Sequence, residues 1–274
     1  VNADAAARAP RVREFGAGAH GPRTVNVLGV NVAATDLAGA TQRILDMVAQ
    51  RQRSYVCVTG VHGIMESRSR PDLQRVHNAA GLVTPDGMPL VYICRAAGHP
   101  ECGRVYGPDL MLAVCAAAQE RGYRQFFYGA TPRTLERLTA RLHDRFPDLA
   151  IAGSFAPPFR AMTAAERAQA LEHINRCDPD IIWIGLGTPK QERWMAENRA
   201  ELDAAVLIGV GAAFDFHAGN VRQAPRWMQP LCLEWLFRLA VEPKRLWKRY
   251  VRIVPAFVFH FALQRLGVRG CGRP

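Results

Sequence analysis

Apolar, β-branched runs recur along the chain, separated by segments whose apolar positions repeat with helical spacing. The runs Thr24 to Val30, Tyr55 to Val58, Arg124 to Tyr128, Ala150 to Gly153, Ile181 to Ile184 and Ala205 to Val210 each predict a strand. Between most of them the pattern predicts helices over Leu37 to Gln50, Asp109 to Arg121, Thr134 to Phe146, Ala164 to Arg176 and Gln191 to Glu201. Several have recognisable starts: Thr131 as N-cap with Pro132 just inside, and Thr163 followed three residues later by Glu166, a capping box. Strand alternating with helix predicts an α/β fold, a Rossmann-like, mostly parallel sheet with helices on both faces.

Four predicted strands end in small or polar residues: Val58-Thr59-Gly60, Tyr128-Gly129-Ala130-Thr131, Gly185-Leu186-Gly187-Thr188-Pro189 and Gly209-Val210-Gly211-Ala212. Open α/β sheets bind ligands outside the carboxyl ends of their strands, where glycine lets backbone N–H groups approach phosphate. Thr59, Gly60, Gly129, Gly187 and Gly211 are therefore candidate substrate-binding positions. Plain turn glycines after buried strands are the alternative. Neither Gly185-x-Gly187 nor Gly209-x-Gly211 extends to G-x-G-x-x-G, and G-x-x-x-x-G-K-[ST] is absent, which disfavours nicotinamide and P-loop chemistry.

The character changes after Gly219. Of a net charge of +11, residues 221–274 carry +9, with eleven Lys/Arg against Glu234 and Glu242, leaving +2 for the first 220 residues. The segment is also rich in Trp and Phe. Pro243 suits the first turn of a helix on which Arg245, Lys248, Arg249 and Arg252 form a basic stripe, with Trp247, Tyr250, Val251, Val254 and Phe257 on other faces. Such a segment fits an anionic partner: membrane surface, nucleic acid or phosphate. A helix packed on the core with a solvated basic face is the plainer alternative. Its apolar run, Ile253 to Leu263, is interrupted by Pro255 and His260 and is too short to span a bilayer. The expected organisation is a flexible leader (1–23), an α/β core (24–220) and a basic helical appendage (221–274). Seven dispersed cysteines without a C-x-x-C pair suggest neither a disulfide framework nor a zinc site, and a reducing cytoplasm is the expected compartment.

Candidate chemistry lies in the loops. Asp86, in Thr84-Pro85-Asp86-Gly87, is a carboxylate pinned between Pro and Gly, suited to accept a proton as general base or to close an ordinary Pro-Asp-Gly turn. Lys190 and Gln191 open the helix after Gly187-Thr188-Pro189, at its positive end, where a phosphate or sugar hydroxyl would be held; capping by Thr188 is the structural alternative. Asp215 and His217 likewise follow a strand; Asp215 is favoured as a structural acceptor, and a surface position is the plain alternative for His217. The only D-x-D, Asp178-Pro179-Asp180, precedes its strand and so belongs at the wrong edge for a ligand; metal-independent chemistry with no cofactor is expected.

Five blocks, Asp86-Gly87, Arg104-Val105-Tyr106-Gly107-Pro108-Asp109-Leu110, Gly185 to Glu192, Gly209 to Asp215 and Leu233-Glu234-Trp235-Leu236-Phe237-Arg238-Leu239, occur in order. Together they resemble the WecG/TagA/CpsF glycosyltransferase family over about residues 24 to 252. The resemblance implies an inverting transferase moving a sugar from a UDP donor to a polyprenyl-diphosphate-linked saccharide in cell-surface polysaccharide synthesis, peripheral on the cytoplasmic face of the plasma membrane. By position it implies that Asp86 is the catalytic base, that Arg104 and Gln191 line the pocket, and that Arg238, Arg245 and Lys248 or Arg249 bind diphosphate. The implied partners are the donor, the lipid-linked acceptor and an anionic membrane surface, with a homo-oligomer left open.

Two departures bear on the donor. Where the family has Thr-x-Asn this chain reads Thr59-Gly60-Val61-His62, and where it has Lys-Arg-Ala-Pro this chain reads Arg222-Gln223-Ala224-Pro225. A pocket amide is missing, which leaves a UDP-hexose such as UDP-glucose beside UDP-N-acetylmannosamine, with Thr59 or His62 as candidate replacements. A basic nucleic-acid-binding α/β protein is the competing class; no helix-turn-helix, RNP or zinc pattern supports it.

Overall fold

The computed structural model describes residues 23–221, 223–225, 228, 234–241 and 243–267, without the side chains of residues 238, 244–246, 248 and 249. The expected leader up to residue 22 and the side chains of Arg238, Arg245, Lys248 and Arg249 lie outside the described residues. The chain opens with an antiparallel hairpin, β1 (Thr24–Val27) and β2 (Val30–Ala33). There follow β3 (Ser54–Thr59), β4 (Leu82–Pro85), β5 (Gln125–Gly129), β6 (Ile151–Phe155), β7 (Ile181–Gly185) and β8 (Val206–Gly209). These six form one sheet in the order β4-β3-β8-β7-β5-β6, every neighbouring pair parallel.

Helices cover both faces, so the strands are buried on two sides and read as continuous apolar runs. One face packs α1 (Leu37–Ala49), α5 (Gly107–Gln119), α6 (Pro132–Arg145) and α9 (Ala213–His217). The other packs α2 (Val61–Ser69), α3 (Pro71–Asn78), α4 (Met88–Ala96), α7 (Ala164–Arg176), α8 (Lys190–Asn198) and the hairpin. Side chains divide with period two: Val56, Val58, Trp183 and Ile208 enter the first layer, Tyr55, Cys57, Ile184 and Leu207 the second. The starts of α6 and α7 are as expected: Thr131 accepts from the Thr134 N–H, and Thr163 and Glu166 form a reciprocal capping box.

The structure departs from the sequence reading in three places. Thr24 to Val30 is not one strand, because Leu28 and Gly29 adopt positive φ (51° and 93°) and fold the run back on itself. Leu82–Pro85 is a full edge strand in register with β3. Helices α2, α3, α4 and α9 occupy segments where none was expected.

Beyond the sheet lie α10 (Glu234–Val241) and α11 (Pro243–Arg265), the latter running through Pro255. The later part of α11 is bound into the body. Phe257 is buried and stacks on Phe261. Nη2 of Arg68 on α2 lies 3.1 Å from His260 Nδ1. The Gln264 carboxamide acts as an extra peptide unit for the hairpin: its Nε2 donates to the Asn26 carbonyl (2.9 Å) and its Oε1 accepts from the Leu28 N–H (2.9 Å). Among the described residues no helix is long and apolar enough to cross a membrane.

Removing that amide strands a partly buried N–H, which costs about 1–3 kcal/mol. Gln264→Ala is therefore expected to lower stability by that amount in chemical denaturation and to speed proteolysis within α11. Unfolding and cleavage matching the parent would show that the amide pair anchors nothing.

Candidate active site

A cavity of about 630 Å³ opens at the carboxyl ends of β4, β3, β8 and β7, roofed by α10 and α11. Its polar floor includes Gly60, His62, Asp86, Arg104, Gly187 and Gln191, with Gly211 at the end of β8. The roof brings Glu234, Trp235 and Tyr250, and an apolar wall of Ile253, Val254, Phe257 and Val258. Seven of the candidate positions thus come together from separate loops of the chain.

Asp86 sits where β4 gives way to α4. Its N–H donates to the Thr59 carbonyl (3.0 Å), one step past the last register pair, Thr59 with Pro85. Its own carbonyl accepts from Arg104 Nε at 2.6 Å. Held on both sides of its Cα, the residue presents its carboxylate over Gly60; a Cβ on Gly60 would stand 3.8 Å from Oδ2. The Arg104 guanidinium lies 4.1 Å above the Tyr106 ring and pairs with Glu234 Oε2 at 2.5 Å. The adjacent Val105 N–H donates to the Pro85 carbonyl, fixing the Arg104 loop to the edge of β4.

On the opposite side, Gly187 has φ 75° and its N–H donates to Gln191 Oε1 (3.2 Å). Gln191 Nε2 donates to Glu192 Oε1 (3.1 Å), which also accepts from the Thr188 hydroxyl (2.8 Å). Gln191 and Glu192 are both buried. Thr188 does not cap α8, whose N-cap is Pro189, joined to Thr188 by a cis peptide. Behind the floor, buried Thr59 shares a hydrogen bond with His77 Nε2 (3.1 Å), and Ser67 with His77 Nδ1 (3.0 Å).

The remaining candidates lie elsewhere. Thr59 is beneath the cavity wall, and Gly129 and the exposed Lys190 are outside the lining. Asp215 accepts from Asn220 Nδ2, within its own turn. His217 is not a plain surface residue: its Nε2 engages the Pro108 carbonyl at 2.9 Å, tying α9 to the start of α5. Asp180 accepts from the Arg124 N–H and pairs with Arg51, at the edge of the sheet away from the cavity. Glu234 has no role assigned from sequence, although one of only two acids in a basic, aromatic segment is a signal in itself. Among the described residues, no three His, Cys, Asp or Glu side chains gather as a metal site.

Burial pushes the His77 imidazole below its ordinary value, opposed by the charge of Glu192. Burial likewise lowers His217, and burial followed by the Arg68 charge lowers His260. The unfolded chain then binds more protons than the folded one, so stability rises with pH. Melting temperature is expected to hold above the unfolded histidine value of about 6.5 and to fall as pH drops through and below it. A profile flat from pH 7.5 to 5.5 in scanning calorimetry would contradict the neutral assignment of these rings.

Residues 25–270 match the model of the glycosyl transferase WecG/TagA/CpsF family. The chain is similar to an N-acetylglucosaminyldiphosphoundecaprenol N-acetyl-beta-D-mannosaminyltransferase of Bacillus spizizenii, 31% identical over 209 residues, 76% of this chain and 79% of the relative. It is also similar to a protein of the same name from Bacillus subtilis, 32% identical over 178 residues, 65% of this chain and 67% of the relative.

Proposed function

Because the chain belongs to the WecG/TagA/CpsF family of glycosyltransferases, we propose that it transfers a sugar from a UDP-linked donor to a polyprenyl-diphosphate-linked saccharide, with inversion and without a metal. The observation that carries this reading is Asp86, fixed through both of its backbone groups at the cavity floor beside Arg104. In the reaction the acceptor hydroxyl oxygen attacks the anomeric carbon of the donor, and the bond from that carbon to the UDP oxygen breaks. The hydroxyl proton passes to the Asp86 carboxylate. Charge on the departing UDP is met by Arg104 and, following the family pattern, by Arg238, Arg245 and Lys248 or Arg249. Without a metal these guanidinium and ammonium groups supply the electrostatic stabilisation of the transition state. Gly60, His62, Gly187, Gln191 and Gly211 shape the sugar and nucleotide subsites, with Thr59 supporting Gly60 from beneath.

The relatives' name specifies transfer of N-acetylmannosamine to an N-acetylglucosaminyl lipid. Val61, an apolar residue in the cavity lining, stands where the family has an amide, so we carry two donors forward: UDP-N-acetylmannosamine and a UDP-hexose such as UDP-glucose. A panel of UDP-sugars offered with a short-chain lipid diphosphate-saccharide, read by mass spectrometry of the product, separates them. With the accepted donor, Asp86→Asn is expected to bind UDP normally but to turn over about a hundredfold or more slowly, the scale of losing a general base. No transfer from any UDP-sugar by the parent would sink the donor assignment, and near-normal turnover by the variant would remove Asp86 from the chemistry.

We further propose that α10 and α11 form an appendage that docks on the cytoplasmic face of an anionic membrane. Trp247, Val251, Val258 and Phe259 expose apolar area along α11, with Leu266 just past its end, beside the exposed Arg252 and Arg265, the composition of an interfacial helix. Glutamate at both Val251 and Phe259 is expected to abolish co-sedimentation with anionic vesicles while leaving UDP affinity intact. Undiminished sedimentation would refute docking through this face.

A further inference from the structure

Arg104 engages Asp86, Tyr106 and Glu234, and the last of these contacts conflicts with the reaction. Its Nε holds the Asp86 carbonyl and its face rests on Tyr106, contacts that survive any ligand in the cavity. It also forms an ion pair with Glu234, the first residue of α10. The side chains are 14% and 17% exposed, so the pair lies within the cleft rather than on its rim. Among ion pairs between described residues, it alone joins α10 or α11 to the rest of the molecule. Glu234 and Glu242 are the only acids in residues 221–274, and one of them is aimed at the cavity's arginine.

We propose that Glu234 is an anionic placeholder for the donor's diphosphate. It occupies Arg104 while the cavity is empty, holds α10 down, and is displaced when the diphosphate arrives. This rests on the reading that the cavity takes a UDP-linked donor. The physical basis is that a carboxylate and a diphosphate cannot both sit against one guanidinium in a partly dehydrated cleft without strong repulsion. Binding therefore exchanges one ion pair at Arg104 for another, and loss of product restores the original pair. Glu234 thus weakens the hold on UDP, which favours release after each transfer.

The test is titration calorimetry of the full chain and of Glu234→Gln with UDP and, separately, with inorganic pyrophosphate. The variant is expected to bind both roughly five- to tenfold more tightly, since an anionic competitor has been removed from an anion site. Glu234→Asp, which keeps the charge, should return toward the parent affinity. Equal or weaker binding of both probes by the variant would overturn the placeholder and leave Glu234 as a structural clamp or a ligand contact. Tighter binding of pyrophosphate with no binding of UDP by either protein would uphold the placeholder and sink the UDP-donor reading instead. Binding of neither probe would sink both.

Discussion

The cleft depends on a single extension of the parallel ladder between β3 and β4. Register pairing ends with Thr59 opposite Pro85, and the next hydrogen bond, from the Asp86 N–H to the Thr59 carbonyl, carries sheet order one residue into the loop. Arg104 seizes the next carbonyl, and Val105 bonds the last residue of β4. A carboxylate on a free loop would spend its time among many conformers. Here the backbone around it is as constrained as a strand, the preorganisation that proton transfer and charge stabilisation require. The edge position of β4 makes this possible, since a central strand would have no open side from which the Arg104 loop could attach.

Behind that floor lies a layer of buried polar groups whose cost has to be met internally. Thr59, His77 and Ser67 satisfy one another in sequence, while Gln191, Glu192, Thr188 and the Gly187 N–H form a second set at the start of α8. Buried polar atoms are tolerated when hydrogen-bonded and expensive when they are not. The two sets fix the loops after β3 and β7, and so the spacing between the Asp86 and Gln191 sides of the cavity.

The α/β alternation, the two capping signals and the loop context of Asp86 were legible because each rests on local chemistry. The missing pieces fail for physical reasons. The hairpin turn uses Leu28 at positive φ rather than the usual Asn or Asp before Gly29, so no turn signal interrupts Thr24 to Val30. Strand β4 is four residues long and buries Thr84, which dilutes its apolar pattern. Helix α2 carries almost no amphipathic contrast, its buried positions being Gly63, Ile64 and Ser67, so packing rather than periodicity makes it. At the site, loop residues next to glycines could be nominated from sequence, but Gly129 falls outside the cavity because β5 lies beyond β7 in the strand order, and Lys190 is exposed beside the lining Gln191, its direction set by the turn of α8 rather than by its place in the chain. Glu234 and Gln264 act across more than a hundred residues of chain, a distance at which a single sequence carries no pairing information.

Pro255 gives α11 a particular mechanical character. Proline has no N–H to offer the carbonyl four residues earlier, so one rung of the helix is absent between Val251 and Pro255. Tyr250, Ile253 and Val254 precede or flank that gap and face the cavity, while His260, Phe261 and Gln264 follow it and are fastened to α2 and the hairpin. The helix is in effect a beam, riveted at its far end, laid over the cavity at its near end and notched near mid-length. Bending stress applied to the near half concentrates at the notch, so that half can yield while the rivets stay in place.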